Sequence, residues 1–267
     1  MVARNFSGAP ILYEKMGGGE PLLLVHGLMA TGEIFGPVID AFARRHTVVV
    51  PDLRGHGRSM HLEGPLTVEQ HVRDLIRSID HLDIQGTDVL GYSQGGAVAL
   101  QIAHDHPERV RRLVLVNTFA HNGLTVRERL QNRVSLWALR LLGTGTLARI
   151  AARAVAGEGK PLTPEQARHL REMMASSNKK RSVEEMRAMI SFDARPWLEA
   201  IPSPALIIRG SEDTAVPRPH AEMLADGIHD AQLVVIEGAG HALVWTHPKE
   251  LVEEVERWLN KPDPASS

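Results

Sequence analysis

The pentapeptide Gly91–Gly95 places Ser93 between two glycines, in the pattern G-x-S-x-G. It follows a short strand-like run at 88–90 and precedes a helical pattern at 97–103, which indicates a strand-to-helix turn. Such a turn lifts a serine hydroxyl clear of the sheet, and glycine is needed where side chains would collide. The N-terminus of the following helix stabilises negative charge nearby. Ser93 is therefore predicted to be a nucleophile, and a turn without any ligand is the simpler alternative.

A serine hydroxyl is a weak nucleophile that needs a base, and the base needs an orienting acid. Of the 14 histidines, His241 is the candidate base because a Gly-Ala-Gly turn links it to the last strand-like run. Asp213 is the candidate acid because it follows the preceding strand-like run; Glu212 is the alternative acid. A turn-capping role is the simpler interpretation of Asp213. The chain order Ser93, Asp213, His241 predicts a catalytic triad.

Acyl transfer passes through a tetrahedral intermediate whose negative oxygen needs nearby hydrogen-bond donors. One expected donor is the backbone N–H of Gln94, the residue after the predicted nucleophile. The second donor should come from the loop that follows the apolar run 22–25. The backbone N–H of Leu28 is the preferred candidate there, and that of Met29 is the alternative. A backbone donor does not constrain its own side chain, so leucine suits this role.

Short apolar runs alternate with helical patterns along most of the chain. Each run is rich in Val, Ile or Leu and is closed by a residue that ends strands, which is typical of strands buried on both faces. This alternation predicts an α/β protein with a mostly parallel sheet. Residues 2–15 lack the pattern and are expected to form an antiparallel edge. The strand-like runs lie at 22–25, 47–50, 88–90, 113–116, 205–208 and 233–236.

The alternation stops between about residues 119 and 197, where helical patterns follow one another without a strand. A helical insertion is therefore predicted after the run at 113–116, with the sheet resuming at 205. Four methionines of this segment are interpreted mainly as its core, although some could line an apolar pocket. They are Met173, Met174, Met186 and Met189, and the predicted helices span 125–142, 146–156, 164–176 and 183–192.

Composition restricts the functional classes. A length of 267 residues suits one main domain with an insertion. The net charge of −2 gives no reason to expect nucleic acid as a partner. The absence of cysteine excludes disulfides, thiolate nucleophiles and cysteine metal sites. No apolar run reaches the roughly 20 residues that span a bilayer, and residues 1–10 lack a signal-peptide core, so a cytoplasmic location is expected.

In their order along the chain, five motifs together resemble those of the α/β-hydrolase fold family. The resemblance implies a mostly parallel, eight-stranded sheet flanked by helices, formed by residues 1–118 and 198–267. It also implies that residues 119–197 form a helical lid inserted after the sixth strand, and that Asp52, Arg54 and His56 are structural. The motifs are His26-Gly27, Asp52 to Ser59, Gly91 to Gly96, Gly210 to Pro217 and Gly238 to His241.

The sequence is similar to the esterase and enol-lactonase branches of that family. The resemblance implies a serine hydrolase that cleaves a small carboxylic ester or lactone through an acyl-enzyme intermediate, without a metal or cofactor. Thioesterases, carbon–carbon bond hydrolases and perhydrolases use the same triad and are alternatives. Branches with an aspartate nucleophile are disfavoured because residue 93 is serine. A small-molecule receptor on the same fold is the alternative of another class.

Overall fold

The strands form one sheet in the computed structural model, which describes residues 3–5, 10–154 and 160–261. Within these residues the strands are β1 (Ala3–Asn5), β2 (Tyr13–Gly17), β3 (Glu20–Val25), β4 (His46–Pro51), β5 (Thr87–Tyr92), β6 (Val110–Val116), β7 (Ala205–Gly210) and β8 (Ala231–Ile236). Their order in the sheet is β1-β2-β4-β3-β5-β6-β7-β8. The β1–β2 and β2–β4 pairs are antiparallel, and the other neighbours are parallel. The predicted mostly parallel sheet is therefore confirmed, with an antiparallel edge at β1 and β2.

The central strands are buried on both faces of the sheet, as their continuous apolar runs predict. In β3, Leu22 and Leu24 contact one hydrophobic cluster, whereas Leu23 and Val25 contact the other. All four side chains are at most 1% exposed. Successive side chains of a strand point to opposite faces, so an uninterrupted apolar run requires a helical layer on each side. Each such buried side chain contributes about 1.5–3 kcal/mol.

Helices supply both layers. The described helices are α1 (Gly36–Phe42), α2 (Val68–His81), α3 (Gln94–Asp105), α4 (Val126–Ala154), α5 (Pro164–Ser176), α6 (Lys179–Ser191), α7 (Arg218–Gly227), α8 (Leu243–Thr246) and α9 (Pro248–Leu259). Residues of α2, α3 and α7 cover the face that contains Leu23, and residues of α1, α8 and α9 cover the face that contains Leu22. Among the described residues, no helix has the length and apolar character needed to cross a bilayer.

Helices α4, α5 and α6 lie between β6 and β7. The helices predicted at 125–142 and 146–156 form the single element α4, which is kinked at Gly143 (φ 79°, ψ 177°). The predicted end at 155–156 lies outside the described residues. The predicted start of α6 at Val183 is wrong, since α6 begins at Lys179. The Asn178 side chain accepts a hydrogen bond from the Arg181 N–H at 3.2 Å and so caps the helix earlier.

Candidate active site

Ser93 lies in the sharp turn between β5 and α3. Its φ of 55° and ψ of −123° fall in a backbone region that non-glycine residues rarely adopt. The flanking glycines make the turn sterically possible. A Cβ on Gly91 would lie 2.4 Å from the Gly95 carbonyl oxygen, and one on Gly95 would lie 2.1 Å from the Val25 carbonyl oxygen. The turn therefore presents Ser93 at the end of the sheet, where it lines a cavity.

His241 contacts both of its predicted partners. Its Nε2 lies 3.0 Å from Ser93 Oγ, and its Nδ1 lies 2.8 Å from Asp213 Oδ2. The other Asp213 oxygen accepts hydrogen bonds from two backbone N–H groups of the following turn, each at 2.9 Å. Asp213 thus caps its turn and also holds His241; Glu212 does not take this position. With Nδ1–H donating to the carboxylate, a neutral His241 ring directs the Nε2 lone pair at the serine hydroxyl.

Two further side chains fasten the loop that carries His241. Asn117, directly after β6, donates through Nδ2 to the carbonyls of Gly240 and His241 at 3.1 and 2.9 Å. Its Oδ1 accepts the Gly210 N–H at 2.9 Å, and Tyr92 O–H donates to the His241 carbonyl at 2.8 Å. Asn117 has a φ of 47°, which asparagine tolerates better than most residues. Neither role was predicted from the sequence, where the one signal is an asparagine that follows a strand.

The two predicted oxyanion donors belong to the residue after Ser93 and to the loop after β3. Gln94 is the first residue of α3, so its N–H has no acceptor within the helix. Leu28 lines the same cavity as Ser93, whereas Met29 is not among the lining residues and is 1% exposed. Gly27 brings this loop close, since a Cβ there would lie 3.0 Å from the Cβ of Ser93. This arrangement favours Leu28 over Met29.

The cavity beside Ser93 has a volume of about 230 Å³ and a mainly apolar lining. Met174 and Met189 contribute to that lining from α5 and α6. Met173 and Met186 are buried but do not line it, so the methionines divide between core and pocket. No lysine or arginine of the described chain lines it. The other lining residues away from the nucleophile include Ala30, Ile34, Phe119, Asn122, Asn132, Leu170, Ala215, Val216, His220 and Ala242.

A buried carboxylate from α6 contacts the residue that follows Ser93. Glu185 is 1% exposed, and its Oε1 accepts a hydrogen bond from Gln94 Nε2 at 2.8 Å. The Nε2 atoms of His56 and His71 lie 2.9 and 3.2 Å from its two oxygens. The helical segment between β6 and β7 is therefore joined to the core by a buried polar cluster. The role of Glu185 was not predicted from the sequence, because an acid within a helical pattern usually lies on the solvent-exposed face.

Burial and charge act in opposite directions on this cluster. Burial raises the pKa of Glu185, but the charge of His56 and the contacts with His56 and His71 outweigh it and hold that pKa well below its usual range. Burial lowers the pKa of His56, but Glu185 outweighs this effect and raises it above 6.5. Burial and the charge of His56 lower the pKa of His26 to about 4. His56 and Glu185 therefore form an ion pair between pH 4.5 and 6.5, where His26 is neutral above its pKa of about 4.

Asp52 and Arg54 take part in hydrogen-bond networks that shape the loop after β4. Asp52 accepts the Gly32 N–H at 2.7 Å and the Nε–H of Arg58 at 2.6 Å. Arg54 donates two hydrogen bonds of 2.7 Å to Asp74. Neither side chain is among those that line the cavity with Ser93. In the part of the chain that the structure describes, no group of three or more potential ligands could hold a metal ion.

Comparison with known proteins gives one consistent family. A family model described as alpha/beta hydrolase fold matches residues 20–248. A protein of Azorhizobium caulinodans provisionally named carbamate hydrolase RutD is 30% identical over 242 residues, 88% of this chain and 89% of the relative. A thermophilic esterase from Thermogutta terrifontis superposes with a TM-score of 0.85 at 26% identity, covering 98% of this chain and 99% of that chain.

The enol-lactonase from Burkholderia xenovorans LB400 superposes with a TM-score of 0.83 and covers 93% of this chain and 96% of that chain. At 24% sequence identity, this comparison shows that the two proteins share a fold. The matched residues 20–248 include the turn of Ser93 and the positions of Asp213 and His241. By the family match and the shared architecture, the chain belongs to the alpha/beta hydrolase fold family.

Proposed function

We propose that the protein is a serine hydrolase that cleaves a small carboxylic ester or lactone through an acyl-enzyme intermediate. The observation that carries the proposal is the continuous contact from Asp213 through His241 to Ser93, with distances of 2.8 and 3.0 Å. A hydroxyl within reach of a base that is itself held by a carboxylate is the arrangement that nucleophilic catalysis requires. The open cavity beside Ser93 supplies the place for the substrate.

In the first half-reaction, Ser93 Oγ attacks the carbonyl carbon while His241 Nε2 takes the hydroxyl proton. Asp213 keeps the Nδ1–H of His241 in place and stabilises the imidazolium that forms. The carbonyl π electrons move onto oxygen, and the backbone N–H groups of Leu28 and Gln94 donate to this oxyanion. The tetrahedral intermediate collapses, the bond to the alcohol oxygen breaks, and His241 returns its proton to the leaving alcohol.

In the second half-reaction, His241 takes a proton from water, whose oxygen attacks the acyl carbon attached to Ser93. A second oxyanion forms against the same two N–H groups. When it collapses, the acid leaves and His241 returns the proton to Ser93 Oγ. A lactone follows the same steps, except that its alcohol and acid remain parts of one product. The residues of this chain thus supply the base, the nucleophile and the oxyanion donors.

The insertion would act as a lid that shapes the pocket. Leu170 from α5 and Met189 from α6 line the cavity together with Ile34 and Val216 of the core. This division supports residues 119–197 as the lid and residues 1–118 and 198–267 as the catalytic core. An apolar lining with a volume of about 230 Å³ favours a small acyl group. Side chains from two parts of the chain therefore decide which substrate fits.

Hydrolysis of p-nitrophenyl esters of increasing acyl length tests the proposal, with Ser93→Ala beside the unmodified protein. We expect kcat/KM to peak at a short acyl chain and to fall at least about 1,000-fold in Ser93→Ala. Ser191→Ala is the matched control, because Ser191 is exposed and its hydroxyl donates to the Ala188 carbonyl of its own helix. Substantial activity in purified Ser93→Ala would refute Ser93 as the nucleophile.

A second readout separates the enzyme from a receptor on the same fold. A fluorophosphonate should modify Ser93 covalently, detected as a mass increase on the peptide that contains it, and should not modify Ser93→Ala. Modification without turnover of any oxygen ester would redirect the proposal to thioesters, carbamates, perhydrolysis or carbon–carbon bonds. Failure of both modification and turnover, with tight reversible binding of a small molecule, would favour the receptor.

A further inference from the structure

Three polar side chains that the proposed reaction does not use line the cavity with Ser93. They are Asn122, Asn132 and His220, called here the polar wall. Asn132 lies on α4, Asn122 lies just before that helix, and His220 lies on α7 of the core. The rest of the lining is mainly apolar, and polar groups in such surroundings are costly unless they form hydrogen bonds. A ligand that forms hydrogen bonds with the polar wall would offset this cost.

His220 carries a hydrogen-bond acceptor that has no partner within residues 3–5, 10–154 and 160–261. The residue is 3% exposed, and its Nε2 lies 3.3 Å from Glu128 Oε2. Burial lowers the pKa of His220, and Glu128 opposes this effect only in part, so the ring is neutral near pH 7. A neutral ring carries one N–H, which the Glu128 carboxylate holds at Nε2. The lone pair of Nδ1 is then left over, and this buried atom accepts no hydrogen bond from any described residue.

The two asparagines leave one donor and one acceptor beside it. Asn132 Nδ2 donates to Asn122 Oδ1 at 3.0 Å. In the described part of the chain, this hydrogen bond leaves the amide nitrogen of Asn122 and the amide oxygen of Asn132 without a side-chain partner. If both amides turned over, the roles would exchange, yet the pair would still present one donor and one acceptor. The polar wall as a whole thus offers both kinds of hydrogen-bonding group.

We propose that the polar wall is a subsite for a neutral secondary amide carried by the substrate ester or lactone. The amide N–H donates to His220 Nδ1, and the amide oxygen accepts from Asn122 Nδ2. This inference rests on the proposed function, because it names the class of substrate for the same cavity. An amide is favoured over a carboxylate because no lysine or arginine of the described chain lines the cavity. The negative charges of Glu128 and Asp213 would moreover repel a carboxylate on the substrate.

Matched substrates isolate the contribution of the amide. p-Nitrophenyl N-acetyl-β-alaninate and p-nitrophenyl hexanoate have acyl chains of equal length that differ only by the amide. 2-Acetamidoethyl acetate and pentyl acetate form the same comparison on the alcohol side. After correction for hydroxide-catalysed hydrolysis, we expect the amide to raise kcat/KM at least about 10-fold in one of the pairs. In a purely apolar cavity the amide would instead lower kcat/KM, since its desolvation would not be compensated.

Variants connect this preference to the polar wall. His220→Phe keeps an aromatic ring but removes the acceptor, and Asn122→Leu removes the donor. We expect each variant to reduce the amide preference to about 3-fold or less. Arg218→Ala is the control, because Arg218 lies on the same helix, is exposed and forms its ion pair with Glu222; it should retain the preference. The rate of fluorophosphonate modification of Ser93 reports whether each variant keeps a folded site.

Each outcome is decisive. Loss of the amide preference in both polar-wall variants, with retention in Arg218→Ala, supports the subsite. No preference in either pair, or a preference that both variants retain, overturns it while leaving the serine hydrolase intact. If Ser93 is neither modified nor active, the proposed function fails. The subsite is then tested by the binding of butyl N-acetyl-β-alaninate and butyl hexanoate to Ser93→Ala. Equal affinity for the two esters overturns the subsite. Tighter binding of the amide ester, lost when His220→Phe is added, supports it.

Discussion

Replacing Glu185 by glutamine removes a negative charge from a site closed to bulk solvent, because its side chain is 1% exposed. The carboxylate interacts with His56, His71 and Gln94 at distances between 2.8 and 3.2 Å. Glutamine preserves the shape and one acceptor oxygen, which can still serve Gln94. Its amide nitrogen, however, brings a donor towards the protonated ring of His56. The substitution therefore tests the charge of Glu185 with little change in packing.

Removal of one partner from a buried ion pair typically costs about 3–5 kcal/mol, because the other charge stays buried without compensation. His56 can lessen that cost by releasing its proton, and the retained oxygen keeps one hydrogen bond. We therefore expect Glu185→Gln to lower the free energy of unfolding by about 3 kcal/mol near pH 6, the lower end of that range. The neutral glutamine oxygen accepts a weaker hydrogen bond from the Gln94 side chain than the carboxylate does. Because the N–H of Gln94 is a proposed oxyanion donor, we also expect kcat to fall more than KM changes.

The pH dependence of this loss follows from the two pKa shifts. The pKa of His56 is raised above 6.5, so its contribution to stability is fully present below pH 6.5 and is lost as pH rises through the raised value. The pKa of Glu185 is lowered from 4.5, so its contribution is present above pH 4.5 and is lost as pH falls through the lowered value. The difference between wild type and variant should thus be largest between pH 4.5 and 6.5.

Urea unfolding followed by the fluorescence of the four tryptophans, at about pH 6 and pH 9, measures this difference. Glu184→Gln is the matched control. Glu184 Oε1 accepts the Leu66 N–H at 2.9 Å, and the glutamine oxygen can keep that bond, so the expected loss is below about 1 kcal/mol. A loss in Glu185→Gln below about 1 kcal/mol near pH 6, or a larger loss at pH 9 than at pH 6, would refute the ion-pair reasoning.

Two further substitutions test the geometry around the nucleophile. Asn117→Ala removes the hydrogen bonds that fasten the His241 loop, so we expect a stability loss of about 2–3 kcal/mol and at least a 10-fold fall in kcat/KM; unchanged kinetics in the folded variant would contradict this role. Gly95→Ala places a Cβ 2.1 Å from the Val25 carbonyl oxygen and should cost about 3 kcal/mol or more in urea unfolding. Gly145→Ala, where a Cβ would meet nothing within 4 Å, should be neutral or stabilising.

The sheet could be predicted because its central strands are buried on both faces. The run from Leu22 to Val25 is apolar at every position, and the structure places its residues alternately in two hydrophobic clusters. The nucleophile turn could also be recognised locally, since the steric limits at Gly91 and Gly95 belong to a few adjacent residues. The predicted partners of Ser93 followed from chemistry, because a serine nucleophile needs a base and an orienting acid. Asp213 and His241 follow β7 and β8.

The polar residues of the insertion could not be assigned in this way. Glu185 lies in a helical pattern, and its partner Gln94 is distant in sequence, so only the packing of α6 on the core reveals the contact. The same applies to His220 and Glu128, which approach each other from α7 and α4. Periodicity indicates which residues form a helix, but it does not indicate which polar residue on that helix another element will bury.

The position of Glu185 also limits how the insertion can be exchanged between relatives. A foreign segment grafted between β6 and β7 would leave His56 and His71 without their buried carboxylate unless it carried an acid at the equivalent position. This segment on a foreign core would conversely bury a carboxylate without its histidines, which is costly. Chimeras intended to alter substrate preference should therefore transfer Glu185 together with His56 and His71, because these residues from two parts of the chain form one electrostatic unit.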